Sequence, residues 1–209
     1  MANNGELLLI QLWFVLVMLS MDNTVGSLTE RQVSILSGKL LGDGTLRRKT
    51  NTLLEINHSY KQKDYVFWLY NEFREFVNTP PHLRVSGVNR LSYRFTTISL
   101  SDLNRYYALF YQNGYKVVPK SLRLDPLMLA VWFMDDGSRS RSSVYFNTQQ
   151  FSLEDQMFQI KLLSDLELKA SLNKDKCYYR IRLSSDSMST FVSLVEPYLL
   201  RSMRYKLPF

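Results

Sequence analysis

The pattern of apolar and polar residues divides the chain near residue 27. The segment from Leu7 to Leu19 is apolar except for Gln11, and it is shorter than the roughly 20 residues that a helix needs to cross a bilayer. The residues before it contain Glu6 and no lysine or arginine, which is not typical of a secretory signal peptide. We therefore interpret residues 1–27 as an apolar leader outside the fold, with a membrane anchor as the alternative.

From about residue 28 onward, the apolar spacing becomes that of alternating helices and strands. Apolar residues three and four positions apart predict a helix from about Glu30 to Gly42. A second stripe of this helix consists of very small residues, Ser34, Gly38 and Gly42. Because each glycine in a helix costs up to about 1 kcal/mol relative to alanine, this stripe predicts that another backbone passes close by.

The rest of the pattern predicts the same order of elements twice. After the first helix we expect strands at 45–48 and 53–58, a helix at 63–77, and strands at 83–88 and 93–100. A further helix begins at Asp102, runs through Phe110 and ends near Asn113 and Gly114. The second series has a helix from 126 to the glycine at 137, a strand at 142–148, a helix at 152–166, strands at 168–172 and 178–183, and a helix at 187–194. The sequence thus predicts an α+β protein of two pseudo-equivalent halves, residues 28–116 and 117–209.

Charge and cysteine content narrow the possible partners. The 209 residues contain 26 lysines and arginines against 19 acidic residues, a formal charge of +7, which favours nucleic acid or an anionic membrane surface. Cys177 is the only cysteine, which excludes an intramolecular disulfide and a multi-cysteine zinc site. The two histidines, His58 and His82, lack the spacing of metal ligands, and we interpret them as ordinary strand or surface residues.

Two aspartates occupy equivalent places in the two series. Asp43 and Asp136 each precede a glycine at the end of an apolar helix, and packing these helices side by side would bring both carboxylates to the midline. A helix C-terminus carries partial negative charge, so carboxylates there favour a cation. Oxygen ligands without histidine or cysteine select Mg²⁺, or Mn²⁺, rather than zinc. The alternative is that both aspartates only cap turns.

The two helix ends carry a recognisable motif. LSGKLLGDG (36–44) and LAVWFMDDG (129–137) resemble the two signature motifs of LAGLIDADG homing endonucleases of the single-chain type. The segments NGYKVVPKSL and MRYKLPF are also similar to stretches of intron-encoded organellar members. The resemblance implies a repeated αββαββα fold over residues 28–209, whose antiparallel sheets form a saddle over DNA and whose motif helices meet at a central seam. Lys39 and Leu41 depart from the motif, where an apolar and an acidic residue are usual, and they leave open how closely the seam packs.

The resemblance also implies roles for individual residues. Asp43 and Asp136 would be the catalytic metal ligands, Gly42 and Asp135 would support them, and Lys116 and Lys206 would lie near the scissile phosphates. Strand alternation, as in YYRIRLS, places polar side chains on one face of each sheet. The predicted DNA-binding residues are Arg47, Lys49, Asn57, Arg84, Arg90, Arg94, Arg139, Arg141, Asn147, Gln149, Lys174, Lys176, Arg180 and Arg182.

Three functional hypotheses follow. The first is a monomeric, Mg²⁺-dependent endonuclease that makes a double-strand break in DNA at an intron insertion site, encoded by an organelle intron in a mitochondrion or chloroplast. The second is an RNA maturase that assists the splicing of its own intron RNA on the same scaffold. The third is a basic membrane-associated binding protein anchored by residues 7–19. None of the three involves a small-molecule cofactor.

Overall fold

The computed structural model describes residues 28–87 and 90–208, so the predicted leader lies outside the described residues. The first half contains α1 (Glu30–Leu41), β1 (Thr45–Arg48), β2 (Thr52–Ser59), α2 (Lys63–Glu72), β3 (His82–Ser86), β4 (Arg90–Thr96), α3 (Asp102–Phe110), β5 (Tyr111–Gln112) and β6 (Tyr115–Lys116). The second half contains α4 (Pro126–Asp136), β7 (Gly137–Arg139), β8 (Val144–Phe146), α5 (Leu153–Ser164), β9 (Ala170–Asp175), β10 (Tyr178–Leu183) and α6 (Met188–Val195), followed by a 3₁₀ turn at Arg201–Lys206.

Both halves use one topology. The first sheet has the strand order β1-β2-β4-β3 and the second has β7-β8-β10-β9, and the neighbouring strands in each are antiparallel. A helix precedes and another follows each strand pair, as the αββαββα order requires. The predicted α+β fold is therefore confirmed. Among the described residues, no helix combines the length and apolarity needed to cross a membrane.

Several element boundaries differ from the prediction, and the strand predicted at 93–100, for example, ends at Thr96 as β4. The helix predicted to reach residue 77 ends at Glu72, and a 3₁₀ turn at Arg74–Phe76 follows it, because Phe73 leaves helical geometry with φ −113° and ψ 15°. The sequence pattern does not predict strand β7, because this strand begins at Gly137 directly after the last helical residue. Asn113 and Gly114 do not end a helix but form the turn of the β5–β6 hairpin, where their φ values of 50° and 81° suit a tight turn.

The helices α1 and α4 pack closely along the stripe of small residues. A Cβ added at Gly38 would lie 2.6 Å from the carbonyl oxygen of Met128 and 2.8 Å from Cβ of Val131. One turn earlier, Ser34 Oγ donates a hydrogen bond of 2.7 Å to Asp125 Oδ2. Only glycine permits this approach of two backbones, so the lysine and leucine that depart from the motif do not separate the seam.

Candidate active site

The C-terminal ends of α1 and α4 meet at the midline between the two sheets. The backbone N–H of Asp43 donates to Asp135 Oδ2 across the seam at 2.9 Å. The side-chain amide of Gln150 is 3.3 Å from both the Gly42 carbonyl oxygen and Asp136 Oδ2. The two halves thus bring both predicted metal ligands, Asp43 and Asp136, to one place.

The two carboxylates differ in environment and oppose one another electrostatically. The side chain of Asp43 is 53% exposed. Burial, and then the negative charges of Asp43 and Asp135, raise the pKa of Asp136 well above its ordinary value of 3.8. Among the described residues, neither Asp43 nor Asp136 forms an ion pair with a lysine or arginine. Like charges held together in this way favour a bound cation.

Two lysines donate hydrogen bonds to carbonyl oxygens at the C-terminal ends of the motif helices. Lys116, on β6, donates to the carbonyl oxygen of Gly42 at 2.6 Å. Lys206 donates to the carbonyl oxygens of Met134 and Asp135 at 2.6 and 2.8 Å. Burial lowers the pKa of Lys116 to about 8 and also lowers the pKa of Lys206. Each ammonium therefore offsets the partial negative charge of a helix C-terminus and adds positive charge beside the carboxylates.

A buried polar cluster, made of Lys39, His58, Tyr65 and Asp135, lies directly behind Asp43. Lys39 Nζ is 2.7 Å from both Asp135 Oδ1 and His58 Nε2, and the Tyr65 hydroxyl donates to Asp135 Oδ1 at 2.8 Å. Burial, and then the charge of Lys39, lower the pKa of His58 well below 6.5. The ring is therefore neutral at pH 7, so Nε2 accepts from Lys39 and Nδ1 carries the proton.

Together with Asp43, two members of the cluster could form a metal site, but the cluster already contains the ammonium of Lys39. One ligand atom from each of Asp43, His58 and Asp135 lies within 4.8 Å of the others. The ammonium of Lys39, however, lies on both His58 and Asp135, and the second oxygen of Asp135 is bonded to the Asp43 N–H. The carboxylates that remain for a divalent ion are those of Asp43 and Asp136, and such oxygen ligands suit Mg²⁺ or Mn²⁺.

The sequence identified only part of this cluster. From the sequence, His58 is interpreted as an ordinary strand or surface residue and Asp135 as a supporting residue, whereas nothing singles out Tyr65. The one available signal was Lys39, which is a charged residue in an apolar helix and whose side chain is only 1% exposed. A buried lysine requires a partner, but the pattern along α1 does not show which residue supplies it.

The first sheet gathers five of the predicted DNA-binding residues on one face. The strand register opposes Asn57 to Arg94, Arg94 to His82, and Arg90 to Ser86. Residues two apart share a face, so this face carries Arg47, Asn57, Arg84, Arg90 and Arg94, while Lys49 lies in the turn after β1. Arg47 and Arg94 each pair with Glu55, at 2.7 and 2.6 Å.

The second sheet places its predicted DNA-binding residues differently. Arg180 and Arg182 lie on one face, with their guanidinium carbons 4.0 and 6.0 Å from the ring centre of Tyr145. The register pairs Arg139 with Val144 and Lys174 with Tyr179, which places both on the opposite face from Arg180.

The remaining residues of this set lie beside the strands. Asn147 Nδ2 donates to the carbonyl oxygen of Asp136 at 2.8 Å, so it holds the end of α4. Arg141, Gln149 and Lys176 lie in the connections between the elements of the second half. None of these three is within a strand, so their approach to DNA depends on the loops.

The sequence and the fold have counterparts among known proteins. Residues 33–191 match the model of the LAGLIDADG DNA endonuclease family. The chain belongs to this family. Among its LAGLIDADG relatives, the chain is 30% identical over 209 residues to the cytochrome b mRNA maturase bI2 of Saccharomyces cerevisiae, covering 90% of this chain and 49% of the relative. The chain therefore spans about half the length of that relative.

Further relatives agree with this LAGLIDADG assignment. The intron-encoded endonuclease ai4 of Dictyostelium discoideum is 34% identical over 123 residues, covering 55% of this chain and 76% of the relative. Among solved structures, the homing endonuclease I-WcaI bound to its DNA recognition sequence superposes with a TM-score of 0.80 at 26% identity, covering 86% of this chain and 87% of that chain.

Proposed function

We propose that this LAGLIDADG protein is a site-specific DNA endonuclease that makes a double-strand break at an intron insertion site with Mg²⁺ as its metal. The observation that carries the proposal is the meeting of Asp43 and Asp136 at the seam, where each lacks a cationic side-chain partner among the described residues. Nearby Asp135 is neutralised by Lys39 at 2.7 Å. Of the three carboxylates, those without a lysine or arginine ion-pair partner among the described residues are therefore the two predicted metal ligands.

The chemistry follows from what phosphodiester hydrolysis requires. Divalent ions supply an activated water and stabilise the leaving oxygen. Asp43 and Asp136 would hold these ions, and the amide of Gln150, 3.3 Å from Asp136 Oδ2, would fix the orientation of that carboxylate. Lys116 and Lys206 keep two positive charges beside the carboxylates, where they would stabilise the negative charge that develops on the phosphate in the transition state.

The partner of this site would be double-stranded DNA lying across both sheets. The polar faces carry Arg84 and Arg90 in the first sheet and Arg180 and Arg182 in the second. Arginine reads base edges in the major groove and also contacts phosphates. Two sheets in one chain supply both halves of the surface, so the protein would act as a monomer. The proposed chemistry uses divalent ions and requires no small-molecule cofactor.

A cleavage-site selection on a randomised DNA library in Mg²⁺ tests the function. The protein should linearise the selected DNA. Asp136→Asn and Asp43→Asn should abolish cleavage and retain DNA binding in Ca²⁺, while Asp186→Asn, at an exposed position in the second half, should cleave normally. Cleavage by either ligand variant at the normal rate would contradict the assigned metal site.

An RNA maturase is the second candidate function, and one comparison favours it. The relative from Saccharomyces cerevisiae that aligns with 90% of this chain is called a cytochrome b mRNA maturase. If the protein assists splicing of its own intron RNA, Asp136→Asn should retain splicing assistance while losing DNA cleavage.

The resemblance to intron-encoded organellar members supports a mitochondrion or chloroplast as the location of the protein.

A further inference from the structure

We propose that Asp135 is a positioning residue for the metal ligand Asp43, and that Lys39 is the counter-charge that lets Asp135 act from a buried place. This inference rests on the proposed function, because it assigns a purpose to a contact behind the proposed metal site. Asp135 and Asp43 belong to different halves, so the contact also couples the halves where they must cooperate.

The backbone around Asp43 leaves one donor for the other half to bind. Gly42 has left helical geometry, with φ −108° and ψ −136°, while its N–H and that of Gly44 both donate to the carbonyl oxygen of Lys39, at 3.1 and 2.7 Å. The N–H of Asp43 lies between them and donates to Asp135 Oδ2 at 2.9 Å. Asp135 therefore completes the hydrogen bonding of the turn that carries the Asp43 side chain.

Lys39 is needed because the acceptor is a buried carboxylate. The side chains of Lys39 and Asp135 are 1% and 0% exposed, and an unpaired charge at such a place is strongly unfavourable. Lys39 and Tyr65 occupy Asp135 Oδ1, which leaves Oδ2 directed at the Asp43 N–H. Lys39 therefore stabilises the turn in two ways. Its carbonyl oxygen accepts hydrogen bonds from the turn, and its ammonium binds Asp135, which accepts from the Asp43 N–H.

Two double variants separate positioning from charge balance. Lys39→Met with Asp135→Asn is neutral and retains an oxygen that can accept from the Asp43 N–H. Lys39→Met with Asp135→Leu is equally neutral and has no acceptor. The electron paramagnetic resonance signal of free Mn²⁺ gives the Mn²⁺ affinity of each protein, and this measurement does not depend on cleavage. The half-saturating Mg²⁺ concentration for cleavage of the selected DNA is the second readout.

The asparagine variant should bind Mn²⁺ about as tightly as the parent protein. The leucine variant should bind it about tenfold more weakly and require correspondingly more Mg²⁺, since losing one hydrogen bond to the ligand's backbone corresponds to a factor of about ten. Both should retain the parent circular dichroism spectrum at the assay temperature. Because Asp135 Oδ2 would lie only 2.6 Å from a Cβ at Gly42, the site is tight, and Asp135→Ala replaces leucine if the leucine variant does not fold.

Equal Mn²⁺ affinity and equal Mg²⁺ requirement in the two double variants would overturn the positioning role. The result remains separable from the endonuclease proposal. If the parent cleaves DNA and the variants do not differ, only the positioning role fails. If the Mn²⁺ affinities differ as expected and the parent cleaves nothing, the endonuclease proposal fails while Asp135 still positions a metal ligand.

Discussion

Replacing Gly38 by alanine should open the seam that brings the two carboxylates together. The added Cβ would lie 2.6 Å from the carbonyl oxygen of Met128 and 2.8 Å from Cβ of Val131. Carbon atoms in contact prefer separations of about 3.5–4.0 Å. The obstacle includes the backbone of α4, so no change of rotamer can relieve it, and the helices must move apart.

The expected loss follows from two opposing effects. Overpacking a well-filled contact costs about 1–3 kcal/mol, and a backbone obstacle places Gly38→Ala at the upper end of this range. Alanine regains about 1 kcal/mol of helix propensity. The net loss in the free energy of unfolding is therefore about 2 kcal/mol, which lowers the Tm of a chain this long by about 4–8 °C.

Thermal unfolding followed by circular dichroism measures this loss, and two further variants test its cause. Ser37→Ala, on the same helix, adds no atom and should leave the Tm nearly unchanged. Adding Val131→Ala to Gly38→Ala removes the Val131 Cγ1 contact at 3.0 Å but leaves the Met128 oxygen in place, so it should not restore stability. A Gly38→Ala protein as stable as the parent, or a full rescue by Val131→Ala, would refute close backbone contact at the seam.

Four further outcomes are expected. Because the folded state raises the pKa of Asp136, metal-free protein should lose stability as pH rises from about 3.8 through that raised pKa. At neutral pH, adding Ca²⁺ should raise the Tm of the parent protein, and it should raise the Tm of Asp136→Asn much less. Cleavage should decline above about pH 8, where Lys116 loses its proton, and Lys116→Arg should extend activity to higher pH because arginine stays charged. If Arg84 contacts a phosphate, Arg84→Ala should reduce the slope of log Kd against log salt by about one, whereas Lys161→Ala, exposed on α5, should leave the slope unchanged. Deleting residues 1–25 should leave cleavage intact, and loss of folding on deletion would favour the membrane-anchored hypothesis.

The sequence could predict features that depend on local spacing. The small residues of α1 indicate a close helix contact, and the ends predicted at Gly42 and Gly137 lie one residue beyond the last residues of α1 and α4, Leu41 and Asp136. These predictions succeeded because helix periodicity and the special backbone of glycine act over a few residues.

The rest of the site could not be predicted, because it is assembled from residues distant along the chain. Lys39, His58, Tyr65 and Asp135 come from α1, β2, α2 and α4 respectively, and each looks ordinary within its own element. Only the folded seam makes His58 the neighbour of Lys39 rather than a strand residue facing solvent. The same holds for Asn147, whose bond to the end of α4 depends on the connection after β8.

The difference between the two motifs has a steric cause. Asp135 occupies in the second motif the place that Gly42 occupies in the first, and a Cβ at Gly42 would lie 2.6 Å from Asp135 Oδ2. The seam therefore has room for one carboxylate at this level, and a symmetric pair of motifs, with aspartate at both places, would clash and add an unpaired charge. Two different halves allow Lys39 to neutralise Asp135 once, and they leave Asp43 and Asp136 as the pair whose charge a divalent cation would balance.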